Sequence, residues 1–323
     1  MDIYLRDITF GYNADRKIFE NFSAHFESKK THVVLGKSGS GKSTLLKLLA
    51  GELLPEHGTI ESKGWVWKQL EESPIPGFKH VAFLNQEFDL LPYSTVKENI
   101  RRRLHGYSPQ EEEDIIRDVA LKLDISEILE RRAVDVSGGQ KQRVAFAAAL
   151  AKRPQVLLMD EPLSNQDFKN AENIKDIIQW LRGHKTLIIA THEGSEALQL
   201  ADFISVLHDG KIVQKGIPRK VYESPANQYV AGLLGHYNLV PRQWLAKNLG
   251  FRIGAEDSEN VLLRPHKLIL SRTHGIPCRV IRAEYFGMYY LVLIEADGYL
   301  LYVYYPHNHF EPNERWKIAL HSH

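Results

Sequence analysis

The sequence predicts an α/β protein with a helical insertion, followed by a small all-β barrel domain. Short apolar runs alternate with helical stretches in the first part of the chain, a charged segment of helical period interrupts them, and glycine-punctuated strand patterns fill the remainder. A length of 323 residues fits two domains at roughly 150 residues each. Hydrophobic residues at 43% and charged residues at 25% match an ordinary globular chain and exclude a disordered tail or a collagen-like fibre. Lys and Arg number 41 against 40 Asp and Glu, so no global field concentrates the chain on nucleic acid or anionic lipid, and no nucleic-acid partner is expected. The single cysteine, Cys278, has no internal partner, which suits a reducing compartment and a cytoplasmic location. The N-terminal residues carry no signal-peptide pattern, and no apolar run reaches about 18 residues, so the chain is not expected to cross a membrane.

From Ile18 to Phe26, apolar residues at Ile18, Phe22, Ala24 and Phe26 follow the period of two of a half-buried strand, so antiparallel structure opens the first domain. Thr31 to Leu35 is a short apolar strand, followed by a Gly/Ser-rich turn and by a helix from Lys42 that ends at Gly51. Further apolar runs at Val81 to Leu84, Val156 to Met159 and Thr186 to Ala190 predict a mainly parallel sheet covered on both faces. The helical insertion spans about 87–136 and includes the acidic helix start Glu111-Glu112-Glu113-Asp114. Strands are expected at Val261 to Leu270, Pro277 to Phe286, Tyr289 to Glu295 and Tyr299 to Tyr305. The expected division is therefore residues 1–235 for the α/β domain and 236–323 for the barrel.

Three motifs carry chemistry. Gly36-Lys37-Ser38-Gly39-Ser40-Gly41-Lys42-Ser43-Thr44 fits G-x-x-x-x-G-K-[ST] between a predicted strand and a predicted helix. Its glycines let the backbone close around phosphates, Lys42 neutralises β/γ charge, and Ser43 offers an oxygen to Mg²⁺. Val156 to Pro162 is a buried strand ending in two carboxylates: Asp160 suits Mg²⁺ and Glu161 suits activation of water. Ser137-Gly138-Gly139-Gln140 opens a helix with a hydroxyl and free amide donors. Because the chain already has one phosphate loop, this second anion-binding start points to a nucleotide held by another copy; an ordinary helix cap is the competing explanation.

In this order, the motifs resemble the ATP-binding cassette family over residues 1 to about 235. The resemblance implies a P-loop nucleotide-binding cassette that binds ATP and Mg²⁺. It also implies two cassettes that sandwich two ATP molecules between phosphate loop and opposing Ser-Gly-Gly-Gln signature. Tyr12 resembles the aromatic that stacks on adenine, with a buried sheet-edge aromatic as its alternative. Gln86 is similar to the glutamine that touches Mg²⁺ and the attacking water, His192 to the histidine that senses the γ-phosphate, and Asp167 to the dimer-facing aspartate. The stretch Phe88 to Ile100 looks like the loop leading into the helical subdomain, against which a membrane subunit docks. Departures are Val136 for leucine, Ser164-Asn165-Gln166-Asp167 for Ser-Ala-Leu-Asp, and Ala148 where relatives often carry arginine.

Asp209 to Pro218, Tyr222, Asn238 and Leu263-Arg264-Pro265-His266 look like the passage from an importer-type cassette into an oligonucleotide-binding-like barrel, with His266 in place of the usual glutamate. The aromatics Tyr285, Phe286, Tyr289, Tyr290, Tyr302, Tyr304 and Tyr305 are expected in barrel core and interface, and His307, His309, His321 and His323 as a short terminal cluster. The resemblance implies an ATPase on the inner face of the cell membrane, with a second copy of itself, an integral-membrane permease and a substrate-binding protein as partners. A soluble switch that remodels a non-transport complex, a non-hydrolysing ATP sensor and an exporter remain the competing readings of the sequence.

Overall fold

The computed structural model describes residues 1–13, 15–62, 65–66, 80–85, 88–164, 166–250, 259–306, 310–311 and 313–321. Gln86, Asn165, His307, His309 and His323 lie outside them. Contacts divide the chain into two units, Met1–Arg219 and Lys220–His323.

The first unit opens with antiparallel strands β1 (Ile3–Asn13) and β2 (Arg16–Phe26), which join β4 (His57–Ser62) and β5 (Trp65–Val66) in the order β2-β1-β4-β5. The strict alternation expected from Ile18 to Phe26 is broken. Asn21 has φ 51° and the register slips there, so Phe19, Phe22 and Phe26 are the buried positions while Ile18 and Ala24 are half-buried. A bulge inserts a residue and resets the face that each side chain takes.

The second sheet contains β3 (Thr31–Leu35), β6 (Val81–Leu84), β7 (Val156–Asp160), β8 (Thr186–Thr191), β9 (Phe203–His208) and β10 (Lys211–Gly216) in the order β10-β9-β3-β8-β7-β6. All neighbours are parallel except the β9–β10 hairpin. Every residue of β3 and β8 is buried, so the sheet is covered on both faces as the continuous apolar runs predict. Helix α1 (Lys42–Ala50) places Leu45, Leu46, Leu48 and Leu49 in one cluster with Ile3, Phe10 and Phe19 of the first sheet and Val34, Leu158 and Ile188 of the second. The phosphate loop is thereby fixed between two sheets.

Between β6 and β7 lie α2 (Val96–Arg101), α3 (Pro109–Lys122) and α4 (Gly138–Ala151). Thr95 with Glu98 and Ser108 with Glu111 form capping boxes, in which each side chain takes the other residue's backbone N–H. Asn99, fully buried on α2, accepts from Leu91 N–H at 2.7 Å and donates to the carbonyls of Leu91 and Thr95 at 3.0 Å, so it shapes the loop before its helix. Helices α5 (Phe168–Leu181) and α6 (Gly194–Leu200) complete the α/β layer, and α7 (Pro218–Glu223) contains the division between units.

The second unit continues with α8 (Gln228–Leu233), the ladder β11 (Asn238–Pro241) with β12 (Asn260–Leu263), and α9 (Arg242–Leu249). Its main sheet is antiparallel: β13 (Leu268–Ser271), β14 (Ile276–Tyr285), β15 (Tyr290–Ala296), β16 (Tyr299–Tyr305) and β17 (Arg315–Leu320), in the order β13-β17-β14-β15-β16. The edge strands β13 and β16 lie near one another without a ladder between them. The run expected as one strand from Val261 to Leu270 is two, split by a 3₁₀ turn at Pro265–Lys267, because Pro265 has no N–H for a ladder. Of the aromatics expected in core and interface, Tyr290 and Tyr305 pack against a core that includes Val280, Val292, Ile294, Val303, Phe310, Trp316 and Ile318, whereas Tyr285 and Phe286 are exposed. On β16 the core face is Leu301 and Val303, and strand alternation turns Tyr302 and Tyr304 to the other side.

The chain divides at Arg219/Lys220, ahead of the expected boundary at 235/236. Arg264 supplies the reason. It is buried, stacks on the Tyr222 ring at 4.2 Å, and donates to the carbonyls of Tyr222 and Ala231 at 2.9 Å and of Gly235 and His236 at 3.1 Å. One guanidinium thus holds the segment expected to close the first domain within the second unit.

Candidate functional site

The phosphate loop runs from the end of β3 into α1. Gly36 N–H donates to the Thr191 carbonyl at 3.3 Å, which ties the loop to the end of β8. A Cβ at Gly36 would lie 2.5 Å from the Leu207 carbonyl oxygen, and at Gly41, with φ 103°, it would meet Ile18 and Phe19 at 3.1 Å. Both positions require glycine. Lys37, Ser38 and Gly39 are exposed on the outer curve of the loop, and Ser40 is buried with its hydroxyl unpartnered among the described residues. Lys42 is buried, and its ammonium donates to the carbonyls of Gly36 at 2.9 Å and Lys37 at 3.1 Å. Burial lowers the Lys42 pKa, while the Glu161 and Asp160 carboxylates oppose that effect.

Tyr12, at the end of β1, is 60% exposed, so the alternative of a buried sheet-edge aromatic does not hold. Its hydroxyl lies 3.3 Å from Thr44 Oγ1 at the start of α1 and its ring meets the Phe10 ring edge-on at 5.3 Å, so an exposed aromatic stands beside the phosphate loop.

The carboxylates emerge at the end of β7. Burial pushes the Asp160 carboxyl above its ordinary range, opposed by a hydrogen bond from the Ser43 hydroxyl, and Oδ1 has no partner among the described residues. A half-satisfied carboxylate beside a serine hydroxyl is the small oxygen donor set that Mg²⁺ uses when phosphates and water supply the rest, so Ser43 and Asp160 fit that ion. Gln86, the third expected ligand, is outside the described residues.

Glu161 turns sharply away from the strand with φ 48°, in the left-handed region that side chains rarely adopt. Its Oε1 is 2.9 Å from His192 Nδ1, and the Ser164 hydroxyl donates to Oε2 at 2.9 Å. Burial resists ionisation, but the hydrogen bonds from His192 and Ser164 outweigh it and hold the carboxyl below its ordinary range. His192 follows β8, one residue after the buried Thr191, whose hydroxyl donates to Glu196 at 2.7 Å. Lys42, Asp160, Glu161 and His192 therefore gather at the carboxyl ends of β3, β7 and β8, the edge at which α/β sheets bind ligands.

The signature residues start α4. Ser137 caps the helix through Gln140 N–H at 3.3 Å, and Gln140 Oε1 accepts from Ser137 N–H at 3.0 Å. In this chain alone, then, the residues act as a helix cap. Gly138 faces open space, and a Cβ at Gly139 would lie 2.2 Å from Asn170 Oδ1. Asn170 in turn donates its backbone N–H to Asp167 at 2.8 Å, so Asp167 caps α5. Sequence reasoning missed two further contacts: the Ser164 hydroxyl on Glu161, and the amide of Gln142, which reaches the Pro162 carbonyl at 2.5 Å. The signal for Gln142 was a polar residue on an otherwise alanine-rich helix face.

The ABC transporter family matches residues 19–164. The chain is 32% identical over 296 residues to the spermidine/putrescine import ATP-binding protein PotA of Hahella chejuensis, an overlap covering 85% of this chain and 80% of that protein. The chain belongs to the ABC transporter family. A second family member, the xylose/arabinose import ATP-binding protein XacJ of Haloferax volcanii, is 35% identical over 238 residues, covering 72% of this chain and 61% of that protein. The chain spans about three fifths of the length of the first relatives it matches. Among solved structures, cbiO1 from Clostridium perfringens, described as part of the ABC transporter complex cbiONQ, has the same cassette fold with TM-score 0.59 and 21% identity, covering 68% of this chain and 89% of that one. No helix among the described residues is long and apolar enough to cross a membrane.

Proposed function

We propose that the chain is the ATP-hydrolysing subunit of an import system, which dimerises on ATP and drives a separate membrane permease. The observation that carries this reading is the Glu161 carboxylate, held ionised by His192 and Ser164 at the same sheet edge as Lys42 and Asp160. A structural carboxylate would not need a left-handed backbone and two side-chain hydrogen bonds at a phosphate loop.

In the proposed reaction, water attacks the γ-phosphate in line, and the bond to the β-γ bridging oxygen breaks as ADP leaves. Glu161 accepts its proton, Lys42 and the loop amides stabilise the developing charge, and His192 holds Glu161 and contacts the γ-phosphate. Lys42 leaves the carbonyls of Gly36 and Lys37 when phosphate oxygens replace them. Tyr12 stacks on adenine. Ser43, Asp160 and Gln86 would hold Mg²⁺, which supplies neutralisation of phosphate charge. Ser137, Gly138, Gly139 and Gln140 address the ATP held by the second copy, with Asp167 facing that copy across the dimer.

The partners in this reading are a second copy of the chain, an integral-membrane permease and a substrate-binding protein, and its place is the cytoplasmic face of the cell membrane. Support comes from the names of the relatives, which describe import ATP-binding proteins. The test is recovery of tagged Glu161→Gln from gently solubilised native membranes with ATP present. Co-purification of a polytopic permease supports the reading, and recovery of soluble proteins alone overturns the transport part of it.

A further inference from the structure

The turn that carries Glu161 is held at three points. Glu161 N–H donates to the Ala190 carbonyl at 2.9 Å, Ser164 N–H donates to the Glu161 carbonyl at 3.1 Å, and Gln142 Nε2 donates to the Pro162 carbonyl at 2.5 Å. The first tie comes from β8 and the second lies within the turn. The third comes from α4, the helix that begins with the Ser-Gly-Gly-Gln signature.

Gln142 is 1% exposed, and its Oε1 has no partner among the described residues. A leucine of similar size would fill the same space without burying an unpaired oxygen, so packing does not explain the glutamine. Its donor does. With φ 48°, Glu161 sits in a conformation that persists only where its surroundings hold it, and the amide of Gln142 fixes the peptide carbonyl directly after it.

We propose that Gln142 is a positioning residue for Glu161, tying the signature helix to the turn that aims the water-activating carboxylate. The assignment rests on the ATPase reading above. Through this tie, any movement of α4 on engaging the second copy's nucleotide reaches the chain's own Glu161, so that one nucleotide contact sets the aim of the other site's base.

The test is MgATP turnover by the full-length chain carrying Gln142→Leu or Gln142→Glu, measured across the pH range in which each variant stays folded. ATP-dependent elevation of the melting temperature reports folding and nucleotide binding independently of turnover. Gln142→Leu is expected to lower kcat about tenfold with KM for ATP within about twofold of wild type, because the base is misaimed while the phosphate loop is intact. Gln142→Glu is expected to lose as much at alkaline pH, where a carboxylate cannot donate, and to recover toward wild type as pH falls and the buried carboxyl gains a proton. A merely structural glutamine gives no such pH-dependent recovery. The assignment is overturned if Gln142→Leu keeps kcat within about twofold, or if the ratio of Gln142→Glu to wild type is flat with pH; the second criterion decides alone should the leucine variant not fold. Lack of Mg-dependent turnover in the wild type overturns the ATPase reading itself and the assignment with it, whereas turnover that neither variant alters overturns the assignment alone.

Discussion

His32 shows how a single side chain reports on the packing of the first unit. It is fully buried on β3, with Nε2 3.1 Å from the Glu27 carbonyl and the ring against Phe26 and Phe203. Burial lowers its pKa from 6.5 to about 4 despite the Glu27 hydrogen bond. The unfolded chain therefore binds a proton near pH 6.5 that the folded chain refuses until about pH 4. Stability from this residue is complete above pH 6.5 and is lost as pH falls toward 4, by about 3 kcal/mol in total. Urea unfolding of His32→Gln at a series of pH values is expected to show a shallower acid loss than wild type. Parallel curves for the two proteins would mean that His32 is accessible to protons in the folded state.

At the scale of elements, the start of α4 is a helix cap and, in the proposed dimer, a contact to the second copy's nucleotide, and two measurements on one variant separate these roles. Ser137→Ala removes the cap of the helix, which costs about 1 kcal/mol of stability. In the proposed dimer it also removes the hydroxyl that would address the second copy's nucleotide. Binding of ATP to the variant's own phosphate loop should match wild type by fluorescence titration, while ATP-driven dimerisation by light scattering should weaken well beyond what the lost cap explains. Equal loss in both measurements would reduce Ser137 to a cap.

The same scale shows what was legible in the sequence. Strands β3, β6, β7 and β8 stood out because a strand buried on both faces is a continuous apolar run, and Lys42, Asp160, Glu161 and His192 because their motifs sit at the ends of those strands. The bulge at Asn21 and the strand β17 were not legible, since each depends on a partner strand that local periodicity does not reveal, whereas the split of β12 from β13 falls at Pro265, whose missing N–H is a local signal. The hydrogen bond of Gln142 was hidden for a related reason: Gln142 and Pro162 lie on different elements, and nothing in their separate surroundings names the pair, whereas Ser164 lies three residues from Glu161 in the same turn.

At the scale of the whole molecule, the chain is built as two units with separate cores. In the second, the Arg264 guanidinium collects four carbonyls from the segment between Tyr222 and His236. Arg264→Ala leaves those acceptors buried without it, at a cost of about 1–3 kcal/mol for each that water does not reach. Calorimetry is expected to show the transition of the second unit moving to lower temperature while that of the first stays in place. A shift of both transitions together would show that the units unfold as one cooperative body.

In the proposed function, ATP closes two copies of this chain around two nucleotides and Glu161 then opens them by hydrolysis. The most direct measurement compares wild type with Glu161→Gln in MgATP by size-exclusion chromatography with light scattering, alongside phosphate release. The wild type is expected to release phosphate and to elute largely as monomer. Glu161→Gln is predicted to bind ATP, release phosphate at least about a hundredfold more slowly, and accumulate as an ATP-bound dimer. A Glu161→Gln protein that turns over ATP rapidly as a monomer would contradict it.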